Sequence, residues 1–251
     1  MTVETIAILL VAGLLGGIAN SMAGGASLIT YPAMMAAGLP PIAANASNTV
    51  GLVPGNLIGA WSERHKLPRS DGATFVVFAA ALLGGALGAV LLLYTPEKVF
   101  VLVVPGLIGL ATLIFAFAKP IQFALARLFG ADNAALRTGL VLPAALYGGY
   151  FGAGVGVIFM AVLSATSSWE LRSANAMKNM LGVMANASAI VIFVANGLIH
   201  WPETLVMLSA CVVGGYLGGK ALKLVSASVM RKVIVVVGVV MTVFYGWKYW
   251  V

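Results

Sequence analysis

Polar side chains recur in two stretches of an otherwise apolar sequence. The residues of the first stretch are Asn45, Asn48, Thr49 and Asn56. Those of the second stretch are Asn175, Lys178, Asn179 and Asn186. Most of these residues are three or four positions apart, a spacing that places side chains on one face of a helix. Amide groups and one ammonium group on such faces predict a site that suits an anion.

Two glycine-rich segments, at 20–25 and 152–156, are the second feature with binding chemistry. Glycine lets backbone amides approach a ligand closely, and a helix that starts after it offers unpaired N–H groups to an anion. The residues that we expect to contribute to the site are Gly24, Gly25, Ser27, Gly154 and Gly156. The alternative interpretation is that these glycines only let helices pack closely.

Lys178 is the only basic residue that we predict well inside a membrane span. It follows Arg172 by six residues, so its backbone lies about 9 Å below the start of its helix. A lysine stem can extend back to the membrane interface, and this alternative stays open. If the ammonium is buried, it needs a partner, and we predict no Asp or Glu at that depth. An anionic substrate would then be the partner.

The asparagine rows also have a structural interpretation. Each amide can join neighbouring helices, at about 0.6 kcal/mol on average within membranes. A single asparagine in each helix would be explained by this structural role. Three in each of two related helices favour a lined cavity.

Enzyme chemistry is not indicated by the sequence. We predict all seven acidic residues in loops or at helix ends, and both histidines in loops. Paired carboxylates, a His–Ser set, metal ligands and a phosphate-binding loop are therefore not assembled within the spans. We predict no cofactor and no metal. The basic residues are scattered among short loops, which excludes nucleic acid as a partner.

The elements that carry these residues are membrane helices. Apolar residues make up 61% of the 251-residue chain and charged residues 8%, against about 45–50% and about 25% in soluble domains. A spanning helix takes roughly 20 residues. We therefore predict an all-α integral membrane protein of roughly eight to ten helical segments, with the lipid bilayer around it and no separate soluble domain.

The chain contains two related halves. The sequence GGALG at 84–88 recurs as GGYLG at 214–218, and the Ala-Asn-Ala at 44–46 recurs at 174–176, both 130 residues later. We predict a first membrane repeat at 1–118, a cytoplasmic connection at 119–137 and a second repeat at 138–251. In each repeat a glycine-interrupted stretch precedes an asparagine-bearing helix and two ordinary spans.

Basic residues indicate how the halves are oriented, because short cytoplasmic loops accumulate Lys and Arg. Three basic residues lie at 64–69, whereas the equivalent loop around His200 has none. The next loop reverses this pattern, with Lys98 alone in the first half and four basic residues at 220–232. Equivalent loops therefore lie on opposite sides, which predicts an inverted-topology repeat in the cytoplasmic (inner) membrane, with both termini outside.

This orientation constrains the first stretch of each half, 3–37 and 138–167, to begin and end on one side. The arms of the second stretch hold about 14 and 11 residues, fewer than the roughly 20 needed to cross. We therefore predict helical hairpins that turn near the midplane, at 20–25 and at 152–156. Non-helical backbone at that depth requires surrounding protein or a water-filled cavity, so the turns should be buried.

The order of these small residues resembles that of a known family. A glycine-rich segment precedes Pro32 and Gly38, and an Ala-Asn-Ala-Ser-Asn-Thr helix with Pro54 follows; a weaker copy follows Gly148. Over essentially the whole chain this pattern resembles the sulfite exporter TauE/SafE family, also called the toluene-sulfonate uptake permease family. That family often has a Thr-Ser pair where this chain has other residues. The resemblance implies passage of sulfite, sulfonates or other small organic anions across the cytoplasmic membrane.

Taken together, these features predict a secondary transporter, not an enzyme. Its substrate would be a small anion, namely sulfite, a sulfonate or another organosulfur anion, bound between the two repeats. The alternative is a non-transporting membrane scaffold or assembly partner whose polar rows only join helices. A homo-oligomer is compatible with either function.

The predicted orientation can be tested by chemical labelling. A cysteine introduced near Arg127 should react only with reagent on the cytoplasmic side, and one near His200 only with reagent outside, because their loops are assigned to opposite sides. A membrane-impermeant maleimide on vesicles of known orientation measures this. Labelling of both positions from the same side would contradict the inverted repeat and the midplane site.

Overall fold

The computed structural model describes residues 1–22, 25–62, 64–68, 72–129, 132–221 and 227–251. These residues form eleven α-helices and one 3-10 turn at Arg64–Lys66. The first half contains α1 (Val3–Met22), α2 (Ser27–Ala36), α3 (Pro41–Ser62), α4 (Gly72–Tyr94) and α5 (Glu97–Ala116). The connection contains α6 (Ala118–Phe129). The second half contains α7 (Ala134–Tyr150), α8 (Val155–Thr166), α9 (Leu171–Ala195), α10 (Trp201–Ala221) and α11 (Ala227–Trp250).

The predicted all-α membrane class is confirmed, and ten helices follow the predicted order of hairpin, asparagine-bearing helix and two spans in each half. Within the described ranges, α1, α4, α5, α9 and α11 contain segments long and apolar enough to cross a membrane. The chain is therefore a multi-pass membrane protein.

The eleventh helix, α6, lies where the sequence predicts only a connection. Its charged Lys119 and Arg127 alternate with apolar residues, and the large side chains of Phe123 and Leu128 are exposed. This pattern is typical of an amphipathic helix. Because α6 also packs against α8, tertiary contact helps to hold a segment that is too short to be a stable helix alone.

The helix breaks lie at the two glycine-rich segments. Between α7 and α8, Gly152 and Gly154 adopt positive φ angles of 76° and 77°, which side chains disfavour. Between α1 and α2, Gly25 has φ of 80°, while Gly24 lies outside the described residues. The α7 and α8 arms have 17 and 12 residues.

The arm α1 is longer than a hairpin that turns near the midplane requires. It has 20 residues, and its 3–20 segment is long enough to cross by length and composition. Its partner α2 has only 10 residues. The two arms of the first hairpin are therefore unequal, and its turn near the midplane stays a prediction.

The halves interlock instead of packing as separate bundles. The hairpin arm α1 packs mainly against α10 of the second half, and α7 packs mainly against α4 of the first half. The equivalent helices α3 and α9 contact each other, as do α5 and α11. Each of these main contacts between halves thus has a counterpart in which the two halves exchange roles, or joins two equivalent helices.

Equivalent helices α5 and α11 run in opposite directions. The indole nitrogen of Trp250 donates a hydrogen bond to the Leu102 carbonyl oxygen at 2.8 Å. Further along α5, a Cβ placed on Gly109 would lie 3.2 Å from a methyl carbon of Thr242. Residue numbers therefore rise along α5 as they fall along α11.

Glycines let the backbones of the interlocking helices touch. A Cβ on Gly214 of α10 would collide with the Leu14 carbonyl oxygen of α1, and a Cβ on Gly88 of α4 would collide with the Leu146 carbonyl oxygen of α7. Small residues at such interfaces give close van der Waals packing where no hydrophobic effect drives association. The glycine repeats at 84–88 and 214–218 therefore form packing surfaces.

Neighbouring glycines in α10 provide a matched test of this packing. Gly214→Ala should lower the free energy of unfolding by about 1–3 kcal/mol, because its methyl group must push α1 away. Gly215→Ala should be neutral or slightly stabilising, since no atom lies within 4 Å of its added Cβ. Denaturant unfolding of the detergent-solubilised variants measures both. Equal losses would show that helix flexibility, and not backbone contact, sets the cost.

Candidate functional site

Asn45 and Asn48 lie on one face of α3 and are almost fully buried, at 1% and 2% exposure. The Asn45 side-chain nitrogen donates a hydrogen bond of 2.9 Å to the carbonyl oxygen of Tyr150. Tyr150 is the last residue of α7. Thr49 donates its hydroxyl to the Asn45 carbonyl oxygen, also at 2.9 Å. The first-half asparagine row therefore meets the helix break of the second half.

Two amide oxygens at this point have no hydrogen-bond donor. Among the described residues, the Oδ1 atoms of Asn45 and Asn48 are both buried and without a partner. The orientation of the Asn45 amide follows from its bond to a carbonyl, which only the nitrogen can make. Buried polar atoms are rarely left unpaired because each costs about 1–3 kcal/mol. The pair therefore points to an occupant with positive charge or donors.

Lys178 belongs to α9, and its side chain lies beside the first turn of α8, the second arm of the second hairpin. Its ammonium donates to the Asn175 side-chain oxygen at 2.7 Å. Its stem passes Gly156, because a Cβ placed on that glycine would lie 3.9 Å from the lysine Cδ. The structure thus brings together three of the predicted residues, namely Asn175, Lys178 and Gly156.

The break between α7 and α8 is held by a side chain of its own hairpin. The Tyr147 hydroxyl donates to the Ala153 carbonyl oxygen at 2.7 Å, and the Val155 amide donates to the Gly152 carbonyl oxygen at 3.2 Å. Phe151 and Ala153 are buried. The turn is therefore only partly buried, since Gly152, Val155 and Gly156 are half-buried.

The first glycine-rich segment is more constrained. A Cβ on Gly25 would lie 2.9 Å from the Phe115 ring, besides its positive φ. Substitution of Gly25 would therefore strain the fold as well as any binding function. Ser27 is half-buried at the beginning of α2, and its role in binding stays a prediction.

The predicted asparagines do not all converge. Asn56 and Asn186 follow Asn45 and Asn175 by 11 residues each, which is about 16 Å along a helix. A small anion cannot touch both ends of such a row. Asn186 is buried, whereas Asn56 and Asn179 are half-buried. Asn179 follows Lys178 directly, and its role stays a prediction.

Tyr31 is a buried polar residue outside the two asparagine rows and the glycine-rich segments. It is 1% exposed, and within the described part of the chain its hydroxyl has no hydrogen-bond partner. Its ring packs edge-on against Phe151 of the second hairpin, with centroids 5.3 Å apart. A tyrosine inside an apolar stretch needs a partner for its hydroxyl, and this signal would have identified Tyr31 and Tyr147.

Arg137 is a buried cation, although it falls within the predicted cytoplasmic connection at 119–137. It lies in the first turn of α7, is 5% exposed and pairs with Asp132 at 3.2 Å. Its guanidinium also lies over the Trp169 ring, 4.4 Å from the centroid. Since a carboxylate and an aromatic face neutralise and cover it, Arg137 has a structural role.

The described residues contain no group of three or more His, Cys, Asp or Glu that could hold a metal ion. The two clearest grooves in the described structure lie at apolar outer surfaces, one on α11 and one between α1 and α10. Neither is lined by the asparagine rows.

Sequence comparison identifies the family. The profile described as Sulfite exporter TauE/SafE matches residues 9–245. The chain belongs to this family. It is 26% identical to a probable membrane transporter protein of Haemophilus influenzae, over 96% of this chain and 94% of that protein. It is equally identical to the probable membrane transporter protein YfcA of Escherichia coli, over 94% of this chain and 87% of that protein.

A third relative, the probable membrane transporter protein ORF9 of a Sinorhizobium species, is 26% identical over 95% of this chain and 91% of its own length. No solved structure shows a significant match. The resemblance drawn from the glycine and asparagine motifs is thus confirmed, and the chain is a membrane transporter of the TauE/SafE family.

The hydroxyl of Tyr147 should control the order of the second turn. Tyr147→Phe removes the bond to the Ala153 carbonyl, so backbone amides at 151–156 should exchange with deuterium about 5–10-fold faster, equivalent to about 1 kcal/mol. Hydrogen–deuterium exchange mass spectrometry measures this. Tyr94→Phe is the control, because Tyr94 is 83% exposed. Unchanged exchange in Tyr147→Phe would show that packing alone holds the turn.

Proposed function

We propose that this protein is a secondary transporter of a small anion, namely sulfite, a sulfonate or another organosulfur anion, across the cytoplasmic membrane. The observation that carries the proposal is that the Lys178 side chain of α9 lies beside Gly156, in the first turn of α8. An ammonium group and a helix N-terminus there attract the same sign of ligand charge. The family name supports sulfite as the first substrate to test.

Binding an anion inside a membrane protein requires that its lost hydration be replaced. Neutral amide donors do this poorly, because burying an unpaired charge is very costly. Hydrogen bonds from a charged donor are about twice as strong as those from neutral groups. Lys178 supplies that charge, while Asn175 orients its ammonium through the 2.7 Å bond.

Access to a site between the two inverted repeats requires one part of the protein to move against the other. The antiparallel packing of the equivalent helices α5 and α11, fixed by Trp250 and Thr242, supports this arrangement. In such transporters the binding site lies at broken helices between the repeats, and rocking of one part against another opens it to each side in turn. The burial of Asn45 and Asn48 fits a closed state of that cycle.

The scaffold interpretation accounts for some of the polar contacts. Ser47 accepts a hydrogen bond from the His200 amide at 3.0 Å, and Asn45 joins α3 to α7, as structural contacts between helices would. It does not account for the unpartnered oxygens of Asn45 and Asn48. The relatives' names also describe transporters.

The proposal can be tested by counterflow in proteoliposomes. Vesicles loaded with unlabelled sulfite should accumulate labelled sulfite from outside, and vesicles without protein should not. Lys178→Met keeps the stem but removes the charge, and we expect a loss of affinity of about tenfold or more, from a charged hydrogen bond worth about 1.5–3 kcal/mol. Lys178→Arg should retain partial binding, because the charge persists on a bulkier head.

The matched control is Lys98→Met, since Lys98 is exposed at the beginning of α5. It removes the same charge and should leave affinity unchanged. Unchanged affinity in well-folded Lys178→Met protein would refute the assignment of Lys178. No counterflow of sulfite or of a sulfonate such as sulfoacetate by the wild-type protein would refute the proposed substrate class.

A further inference from the structure

The two halves differ at one pair of equivalent positions. At the repeat offset of 130 residues, Asn45 corresponds to Asn175, and Asn48 corresponds to Lys178. In the second half the Asn175 oxygen accepts a hydrogen bond from the Lys178 ammonium at 2.7 Å. In the first half the equivalent oxygen, on Asn45, has no partner, and a neutral Asn48 stands where the lysine would be.

We propose that a monovalent metal cation binds at the first-half position, with the side-chain oxygens of Asn45 and Asn48 as ligands. In the second half, the equivalent oxygen of Asn175 contacts the positively charged ammonium of Lys178. This charge is tethered, because it belongs to a side chain. The first half presents two oxygens and no tethered charge. A free cation completes the same arrangement there.

The end of α7 adds to the attraction for a cation. Asn45 is bonded to the Tyr150 carbonyl at the C-terminus of this 17-residue helix, so its amide lies at the negative end of the helix dipole. Broken helices of transporters place carbonyl groups and such C-terminal ends around coupling cations. The two sides of one helix break would thus bind opposite charges, a cation beside α7 and an anion beside α8.

The ligand chemistry selects the class of ion. Amide and carbonyl oxygens suit hard cations, but divalent ions usually require carboxylates. The acidic residues in the described ranges all lie in loops or at helix ends, such as Glu97 and Glu170. Asparagine does not titrate, so these two side chains cannot carry a proton instead. An alkali-metal ion, with Na⁺ as the probe, fits the site.

The experiment is a thermal unfolding titration of the purified wild-type protein. NaCl replaces choline chloride at constant total chloride, so ionic strength and anion content do not change. A ligand that binds only the folded state raises the melting temperature, by about 3–6 °C when it reaches roughly tenfold its dissociation constant. We expect a saturable rise with Na⁺ and none with choline, whose methyl groups keep amide oxygens away from its charged nitrogen.

Variants at Asn48 assign the effect to this site. Asn48→Leu keeps the size of the side chain but removes the oxygen, and it should abolish the rise. Asn48→Lys copies the second half, so its tethered ammonium should also abolish the rise. Asn48→Asp adds a negative charge, and it should lower the half-saturating Na⁺ concentration about tenfold or more. The control is Asn196→Ala, which removes an exposed amide bonded to the Ile192 carbonyl and should keep the wild-type response.

The outcomes decide between a cation and water. A water molecule on these oxygens would give no Na⁺-specific rise, and that result in the wild type would overturn the proposal. A rise of wild-type size in Asn48→Leu would also overturn it. If Asn48→Leu does not fold, an unchanged half-saturating Na⁺ concentration in Asn48→Asp would overturn the proposal instead. Since the titration contains no sulfur anion, its result is independent of the substrate proposed above.

Discussion

A helix that breaks inside a membrane protein exposes backbone N–H and C=O groups that no bulk water can satisfy. The break between α7 and α8 meets this constraint with side chains from both halves. Tyr147 donates to the Ala153 carbonyl from within the hairpin, and Asn45 donates to the Tyr150 carbonyl from the other half. The most demanding local requirement of the second repeat is therefore met partly by the first, which couples the two halves where ligands would bind.

Glycine packing determines which parts of the molecule can move. In the pairs α1–α10 and α4–α7 the backbones are in contact, as at Gly214 against Leu14 and Gly88 against Leu146. Interfaces packed this closely deform little, because interior packing is near its maximum density. A transport cycle is thus expected to move these pairs as units, and to change the contacts that α3 and α9 make with the hairpins.

Apart from α6, the sequence predicts the helix order, the glycine breaks and the asparagine rows, because each depends on local spacing and composition. It does not predict which helices pair, since that depends on which faces meet in three dimensions. Arg137 illustrates the limit: its charge places it in a loop, but Asp132 and Trp169 allow it to be buried. Likewise, the local pattern at Asn45 and Asn48 indicates a polar face but not that two oxygens remain without donors.

Charge balance gives the difference between Asn48 and Lys178 a functional meaning. A monoanion beside the Lys178 ammonium forms a neutral pair, whereas a dianion leaves one negative charge uncompensated. Any net charge that crosses with the moving site works with or against the membrane potential, at about 2.3 kcal/mol per charge per 100 mV. A monovalent cation on Asn45 and Asn48 would supply the second positive charge that a dianion requires. Two fixed lysines, one in each half, would neutralise a dianion as well, but they would remain as two positive charges when the site is empty. With one tethered and one exchangeable cation, only one positive charge remains on the return step.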